Sequence, residues 1–436
     1  MRAFSTLLFG TLAGLIGHAL AAPLIVSPGT ASDVVITQEN TVNTTEAVSN
    51  STGSSPTQQL KINMVNNFAG SVNAYVTGLD SNDQLVVLQT DGTWLYPNAN
   101  GASVPQPITG NIALPLGGQG STTTITLPDY ISSGRIWFAA NGDLQFFVVE
   151  SGTGGSSLVE PSSANPHDPS AAVNWGFVEL TNTEDDGLFA NISYVDFVGL
   201  PLGMSLSGGG GLQTAQGLPA NAVSSICNDL KAQADSDGQP WHQLCVTDVN
   251  GNPLRVIAPS DYSSVNSDAF SNYWTDYINQ VWQKYSSQPL TINTQVSAGD
   301  VQCTVSDGLL NCNGDNRGYA QPIASDIWGC NSGPFAIEAG DNDVHRAVVP
   351  RLCAAFDRST LLLAGGNTQP GLGSSAYYTV SPTNFYSKFI HQYELDGRGY
   401  AFPYDDVNPD GASNASGELS DGTPSSLTVT VGGPSS

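Results

Sequence analysis

Residues 173–200 read Val173-Asn174-Trp175-Gly176-Phe177-Val178-Glu179-Leu180-Thr181, then Asn182-Thr183-Glu184-Asp185-Asp186-Gly187, then Leu188-Phe189-Ala190-Asn191-Ile192-Ser193-Tyr194-Val195-Asp196-Phe197-Val198-Gly199-Leu200. Two apolar, aromatic and β-branched runs flank a polar loop, the pattern of two longer strands joined antiparallel. Upstream, shorter runs of the same kind recur between Gly, Pro, Asn and Asp: Lys61–Val65, Ser71–Thr77, Gln84–Gln89, Ser121–Leu127, Gly134–Ala139 and Leu144–Val149. Short strands at regular intervals with turn signals between them point to a β-sandwich or barrel. Ser426–Val431 reads as a last strand returning to it.

Between these strands the period changes. Phe270, Tyr273, Trp274, Tyr277, Ile278, Val281, Trp282 and Tyr285 recur at helical spacing, the mark of a helix buried along one side rather than of a sugar-stacking platform. A second helix carries Val223, Ile226, Cys227 and Leu230, and a third runs from Asn342 or Asp343 through Phe356 with Pro350 as a kink. A fourth opens with Ser381 as cap and Pro382 at its first position, burying Phe385, Phe389 and Tyr393. The expected class is mainly β with α+β. Residues 59–215 and 396–432 form a β-sandwich or barrel domain, and 216–395 an inserted mixed α/β domain.

The ends are different in kind. Residues 1–21 read as a signal peptide: Arg2, an apolar stretch from Leu7 to Ile16, and Ala19-Leu20-Ala21 as the cleavage site. Residues 22–58 are a Ser/Thr/Asn-rich stretch without apolar periodicity, expected to be a disordered, glycosylated leader. Sequons stand at Asn43, Asn50, Asn191 and Asn414. The C-terminus lacks the hydrophobic tail of a lipid-anchor signal, so free secretion is expected.

An exported chain oxidises its cysteines, and there are six. Around Asp307-Gly308 a two-residue hairpin turn sets Ser306 opposite Leu309 and therefore Cys303 opposite Cys312, close enough for a disulfide. Cys227 with Cys245 and Cys330 with Cys353 are paired on proximity in sequence alone. Lacking C-x-x-C and H-x-x-x-H spacings, the chain offers no metal site and calls for no cofactor.

Charge narrows the partners. With 38 Asp plus Glu against 12 Lys plus Arg, the formal net charge is -26, which repels phosphate backbones and anionic membrane surfaces. Nucleic acid and membrane are excluded as partners. Nucleophile elbows, P-loops and dinucleotide fingerprints are also missing, which leaves carboxylate chemistry. Glu179 and Asp196 are each the lone acid in an apolar run. Apolar surroundings raise a carboxyl pKa, so one acid can stay protonated while a second acts as base or nucleophile. Both faces of both runs are largely apolar, so alternation fixes neither the register nor whether the acids share a face. The competing reading is two buried acids that brace loops. By alternation Asn191 and Asp196 point to opposite faces, so a glycan at Asn191 need not block the site.

The stretches Phe177–Thr181 and Asn191–Pro201, with Leu352–Leu361 and Ala401–Asp406, resemble glycoside hydrolase family 64 over about residues 60–432. The resemblance implies a thaumatin-like β-domain, an inserted domain with a groove between them, and an inverting endo-β-1,3-glucanase that acts as a monomer on β-1,3-glucan. It places Glu179 as general acid and Asp196 as general base, with Thr181, Asn182, Phe189, Ser193, Tyr404, Asp405 and Asp406 contacting sugar. Phe189 stands where the family more usually has Trp.

Inversion needs room for a water, so the carboxyls should lie about 6.5 to 9.5 Å apart. A directly opposed cross-strand pair would be too close, which calls for a diagonal or splayed arrangement. Acids around Glu179, Asp196, Asp405 and Asp406 should then raise the proton affinity of Glu179 by like-charge repulsion. The runner-up is a thaumatin-like glucan-binding or antifungal module without turnover, which needs no paired acids. A structural wall protein is disfavoured by the helices and disulfides.

Overall fold

The computed structural model describes residues 23–43, 59–152, 155–412 and 415–434. The expected signal peptide and the sequons Asn50 and Asn414 lie outside the described residues. The chain is mainly β, and its largest sheet is built on β1 (Val72–Leu79), β2 (Leu85–Leu88), β3 (Trp94–Leu95), β4 (Ile131–Ala140), β5 (Asn174–Thr183), β6 (Gly187–Asn191) and β7 (Leu419–Asp421). Their spatial order is β7-β6-β5-β4-β1-β2-β3. A five-stranded sheet sets Pro424–Val431 between Leu202–Gly208 and Lys61–Asn66, so the end of the chain closes against its first long strand. Both sheets feed one continuous core, with Ile62, Met64, Phe138, Val178, Leu206 and Val429 all buried.

Six helices accompany the sheets among the described residues: α1 (Ala222–Asp237), α2 (Pro259–Val265), α3 (Thr275–Tyr285), α4 (Ala324–Gly329), α5 (Asp343–Asp357) and α6 (Phe385–Tyr393). The aromatic stripe is core, as its period implies: Trp274, Tyr277, Val281 and Tyr285 are buried. The helix itself starts later than the stripe, because Phe270 takes φ of +59°, a left-handed conformation that breaks a right-handed helix. α6 also starts later than expected. Its cap is Asn384, whose side chain accepts from the Ser387 amide, and Ser381-Pro382 precede the helix.

Residues 23–43, expected to be disordered, are part of the fold. Leu24–Ile25 lies parallel to Cys245–Thr247, and Thr41–Asn43 lies antiparallel to Ser156–Val159. Edge pairing supplies the order that their composition does not. The first of these strands shares a sheet with Cys245–Thr247, Pro253–Ile257 and Phe197–Val198, so the expected α/β insertion is laced to the β part by hydrogen bonds. The disulfides are Cys227–Cys245, Cys303–Cys312 and Cys330–Cys353. Cys303 faces Cys312 in the hairpin with Ser306 opposite Leu309.

Candidate active site

Register decides what β5 presents. Glu179 pairs with Arg135 of β4 on one side and Asn191 of β6 on the other, and Arg135 in turn pairs with Thr77 of β1. Thr181 faces Phe189. Side chains two residues apart on a strand share a face, so Trp175, Phe177, Glu179 and Thr181 line one surface with Trp137, Arg135, Asn191 and Phe189. Asn182 belongs to the opposite face and is only 2% exposed, so it is not among the surface residues expected to touch sugar.

The polar row is tied together by a cation. Arg135 donates from Nη2 (3.1 Å) and Nε (3.3 Å) to Oε1 of Glu179, and from Nη1 to Oε2 of the buried Glu160 at 2.5 Å. Thr77 donates to the other oxygen of Glu160 at 3.0 Å, and the Trp137 indole donates to Thr77 at 2.9 Å. The guanidinium lies 4.6 Å from the centre of the Phe177 ring. Burial opposes its charge, but Glu160, Glu179 and Asp196 together outweigh that and hold it firmly protonated. On the far side, the Asn191 amide donates to Oε2 of Glu179 at 3.2 Å. The groups bonded to Glu179 are thus a cation and an amide; Glu160 and Asp196 lie near, but of the acids expected around it Asp405 and Asp406 line neither cavity beside Arg135.

Asp196 reaches the cavity on the other side of Arg135 by a different route. The expected second long strand ends at Asn191, and the chain leaves the sheet through a bend at Val195 and Asp196. The residue opposite Glu179 is therefore Asn191, not Asp196. The bend is pinned by the Ala258 amide, which donates to the Asp196 carbonyl at 2.7 Å. Phe197 then packs at 4.4 Å from Trp175, ring centre to ring centre. The chain next crosses β5 so closely that a Cβ on Gly199 would sit 2.0 Å from the Trp175 carbonyl oxygen. Burial, helped by the charges of Glu179, Glu39 and Glu160 and opposed by Arg135, raises the Asp196 carboxyl to about 6.

Two cavities meet at Arg135. One, of about 380 Å³, is lined by Val42, Arg135, Glu179, Thr181, Phe189 and Asn191. The other, of about 280 Å³, is lined by Thr37, Glu39, Arg135, Trp137, Asp196 and Asp261, among others. Asp261 accepts from the Ser163 hydroxyl at 2.5 Å; burial and the charges of Asp196 and Glu39 hold it well above the usual carboxylate range.

Of the sugar-contacting residues implied by resemblance, Thr181 and Phe189 join Glu179, with Phe189 42% exposed. Ser193 makes an isolated parallel bridge with Tyr400 and lines neither cavity. Asp405 is buried and accepts from His391 Nε2 and Arg358 Nη2, both at 2.8 Å, and from the Ala401 amide at 2.9 Å. Its carboxylate, 1% exposed and held by three donors, braces the loop out of reach of a sugar. Tyr404 is half-buried with φ of +67°, Asp406 is exposed, and neither lines the cavities.

Arg135, Glu160 and Asp261 line or brace the site without having stood out as candidates in the sequence. Arg135 is a lone cation inside the apolar run 131–140 of a chain with 12 basic residues, the same signal that singled out the two acids. Asn191 was placed on the face opposite Asp196 by counting alternation through a strand that ends at Asn191; it bonds Glu179 instead, and a glycan there would stand in the site.

The β-1,3-glucanase family model, that of glycoside hydrolase family 64, matches residues 58–431. The chain belongs to that family. A laminaripentaose-producing β-1,3-glucanase, crystallised with laminaritetraose, has a TM-score of 0.74 at 26% identity, covering 86% of this chain and 98% of that one. A β-1,3-glucanase domain from Clostridium beijerinckii, 21% identical, shares the fold with a TM-score of 0.67 over 87% of this chain and 100% of its own. The glucan endo-1,3-β-glucosidase of Cellulosimicrobium cellulans is 27% identical over 297 residues, 66% of this chain and 50% of that relative. The chain matches about half of that relative's length. No helix among the described residues is long and apolar enough to cross a membrane.

Proposed function

We propose that this family member is a secreted, monomeric endo-β-1,3-glucanase, hydrolysing linear β-1,3-glucan to short laminari-oligosaccharides with inversion and without a cofactor. The observation that carries the reading is that Arg135 bonds Glu179 in one cavity and lines, with Asp196, the adjoining one, beside an aromatic wall in a β-1,3-glucanase family fold. A non-catalytic binding module would need the wall but not the paired acids. The glucan would lie along the two cavities, in a groove between a thaumatin-like β-domain and the α/β insertion. Three disulfides suit export to an oxidising compartment.

The family resemblance assigns Glu179 to protonate the glycosidic oxygen as the bond breaks through an oxocarbenium-like state. Asp196 then takes a proton from the water that attacks the anomeric carbon from the opposite side. Two features of the free protein favour a second reading with the roles exchanged. Arg135 and Asn191 both donate to Glu179, which suits a carboxylate, while burial holds a proton on Asp196 up to about pH 6. Incubation with linear β-1,3-glucan tests the function: release of laminari-oligosaccharides supports it, and binding without turnover replaces it with the module. Substrates with activated leaving groups separate the two role assignments, because only the general-acid variant keeps its activity on them.

A further inference from the structure

Residues 23–43 precede the stretch that matches the family, 58–431, yet they form part of the wall of the cavity that holds Asp196. The segment is fastened at both ends. Beyond its first strand, the Val26 amide donates to the Thr247 carbonyl and the Ser27 amide to that of Pro166. At the other end, Thr41–Asn43 extends the sheet of Ser156–Val159. Between them a tight turn is locked by Asn40. Its Oδ1 accepts from the Thr37 amide at 2.8 Å and the Thr37 hydroxyl at 3.1 Å, and its Nδ2 donates to the Val35 carbonyl at 2.8 Å. Such side-chain to backbone bonds fix a turn without any apolar core. Asn40 is 5% exposed, and its carbonyl accepts from the amide of Glu160, the residue that holds Arg135.

The turn presents Thr37, half-buried, and Glu39, exposed, to the cavity that Asp196, Trp137 and Trp175 line from the other side. Among the described residues no hydrogen bond is made by the Glu39 carboxylate. A carboxylate and a hydroxyl beside Asp196 offer acceptors for sugar hydroxyls, with Trp137 and Trp175, each 1% exposed, packed behind the cavity wall.

We propose that residues 37–39 complete a sugar subsite next to Asp196, with Glu39 accepting hydrogen bonds from glucan hydroxyls and Thr37 adding a second polar contact. The segment thereby sets affinity and the register in which the glucan is cut. This rests on the reading of the chain as a β-1,3-glucanase.

The test is steady-state kinetics on a laminari-oligosaccharide, with product lengths from linear β-1,3-glucan, for wild type, Glu39→Gln, Thr37→Val and the control Ile36→Thr, whose side chain lines neither cavity. Glu39→Gln should raise KM about tenfold and Thr37→Val about threefold, each with kcat within about twofold of wild type, as expected for contacts made equally to substrate and transition state. Both should change the product-length distribution, and Ile36→Thr should do neither. If Thr37→Val loosens the turn, Glu39→Gln still carries the test, since no described hydrogen bond depends on it. Wild-type KM and product lengths in Glu39→Gln, beside an active wild type, overturn the subsite alone. An inactive wild type overturns the glucanase reading and the subsite with it.

Discussion

Arg135 and Glu179 face each other across β4 and β5, and the guanidinium holds Oε1 of Glu179 with two of its nitrogens while a third grips the buried Glu160. The proposed catalytic carboxylate is therefore set in place by a cation that is itself anchored from behind. Removing that cation has two separable consequences, one for stability and one for chemistry.

Arg135→Met leaves Glu160 buried without its partner. Loss of one member of a buried ion pair costs about 3 to 5 kcal/mol. The variant should melt well below wild type, and Glu160→Gln in the same chain should recover part of the loss. Thermal unfolding of the two variants checks this; equal melting temperatures for wild type and Arg135→Met would remove the anchoring role. Activity should stay low in both, because neither restores the donors to Glu179.

Glu179→Gln and Asp196→Asn should each lower kcat on linear β-1,3-glucan by at least about a hundredfold, the lower bound for losing a general acid or base, with circular dichroism unchanged. Substantial residual activity in either removes that residue from its role.

The pH profile separates acid from base. With the Asp196 carboxyl held at about 6, kcat/KM falls below about that pH if Asp196 must be ionised as base, and above it if Asp196 must be protonated as acid. Glu39 adds to the upward push, so Glu39→Gln should move this limb to lower pH whichever direction it takes.

His391 makes a prediction about stability away from the site. Burial works against its charge, but Asp405 and Glu394 outweigh that and raise its pKa from 6.5 to about 10. A group whose folded pKa is raised stabilises fully below its unfolded pKa and loses that contribution as pH rises through the folded one. Stability should therefore decline between pH 6.5 and about 10, and His391→Gln should flatten that slope while lowering stability at neutral pH. An unchanged slope would contradict the charged His391.

Much of this was legible in the residues. Alternating runs marked the strands, the Asp307-Gly308 turn fixed Cys303 against Cys312, and helical spacing marked Trp274 to Tyr285 as core. Two lone acids in apolar runs led to Glu179 and Asp196. Other features depend on contacts distant in sequence. The strands at 24–25 and 41–43 are too short to show a period and gain their order only from partners about 220 and 115 residues away. Nothing in Tyr404-Asp405-Asp406 reveals that Asp405 is enclosed by His391 and Arg358. Asn182, by contrast, could have been placed correctly, since alternation alone puts it on the face opposite Glu179 and Thr181.

The central claim is an inverting glucanase with two carboxylates. Its most direct test is proton NMR of the first products released by the wild-type protein from a linear β-1,3-glucan, read before the anomers equilibrate. An inverting enzyme releases laminari-oligosaccharides whose new reducing ends are α-configured. Reducing ends that appear first in the β-configuration would contradict inversion, and no released oligosaccharide at all would contradict the glucanase itself.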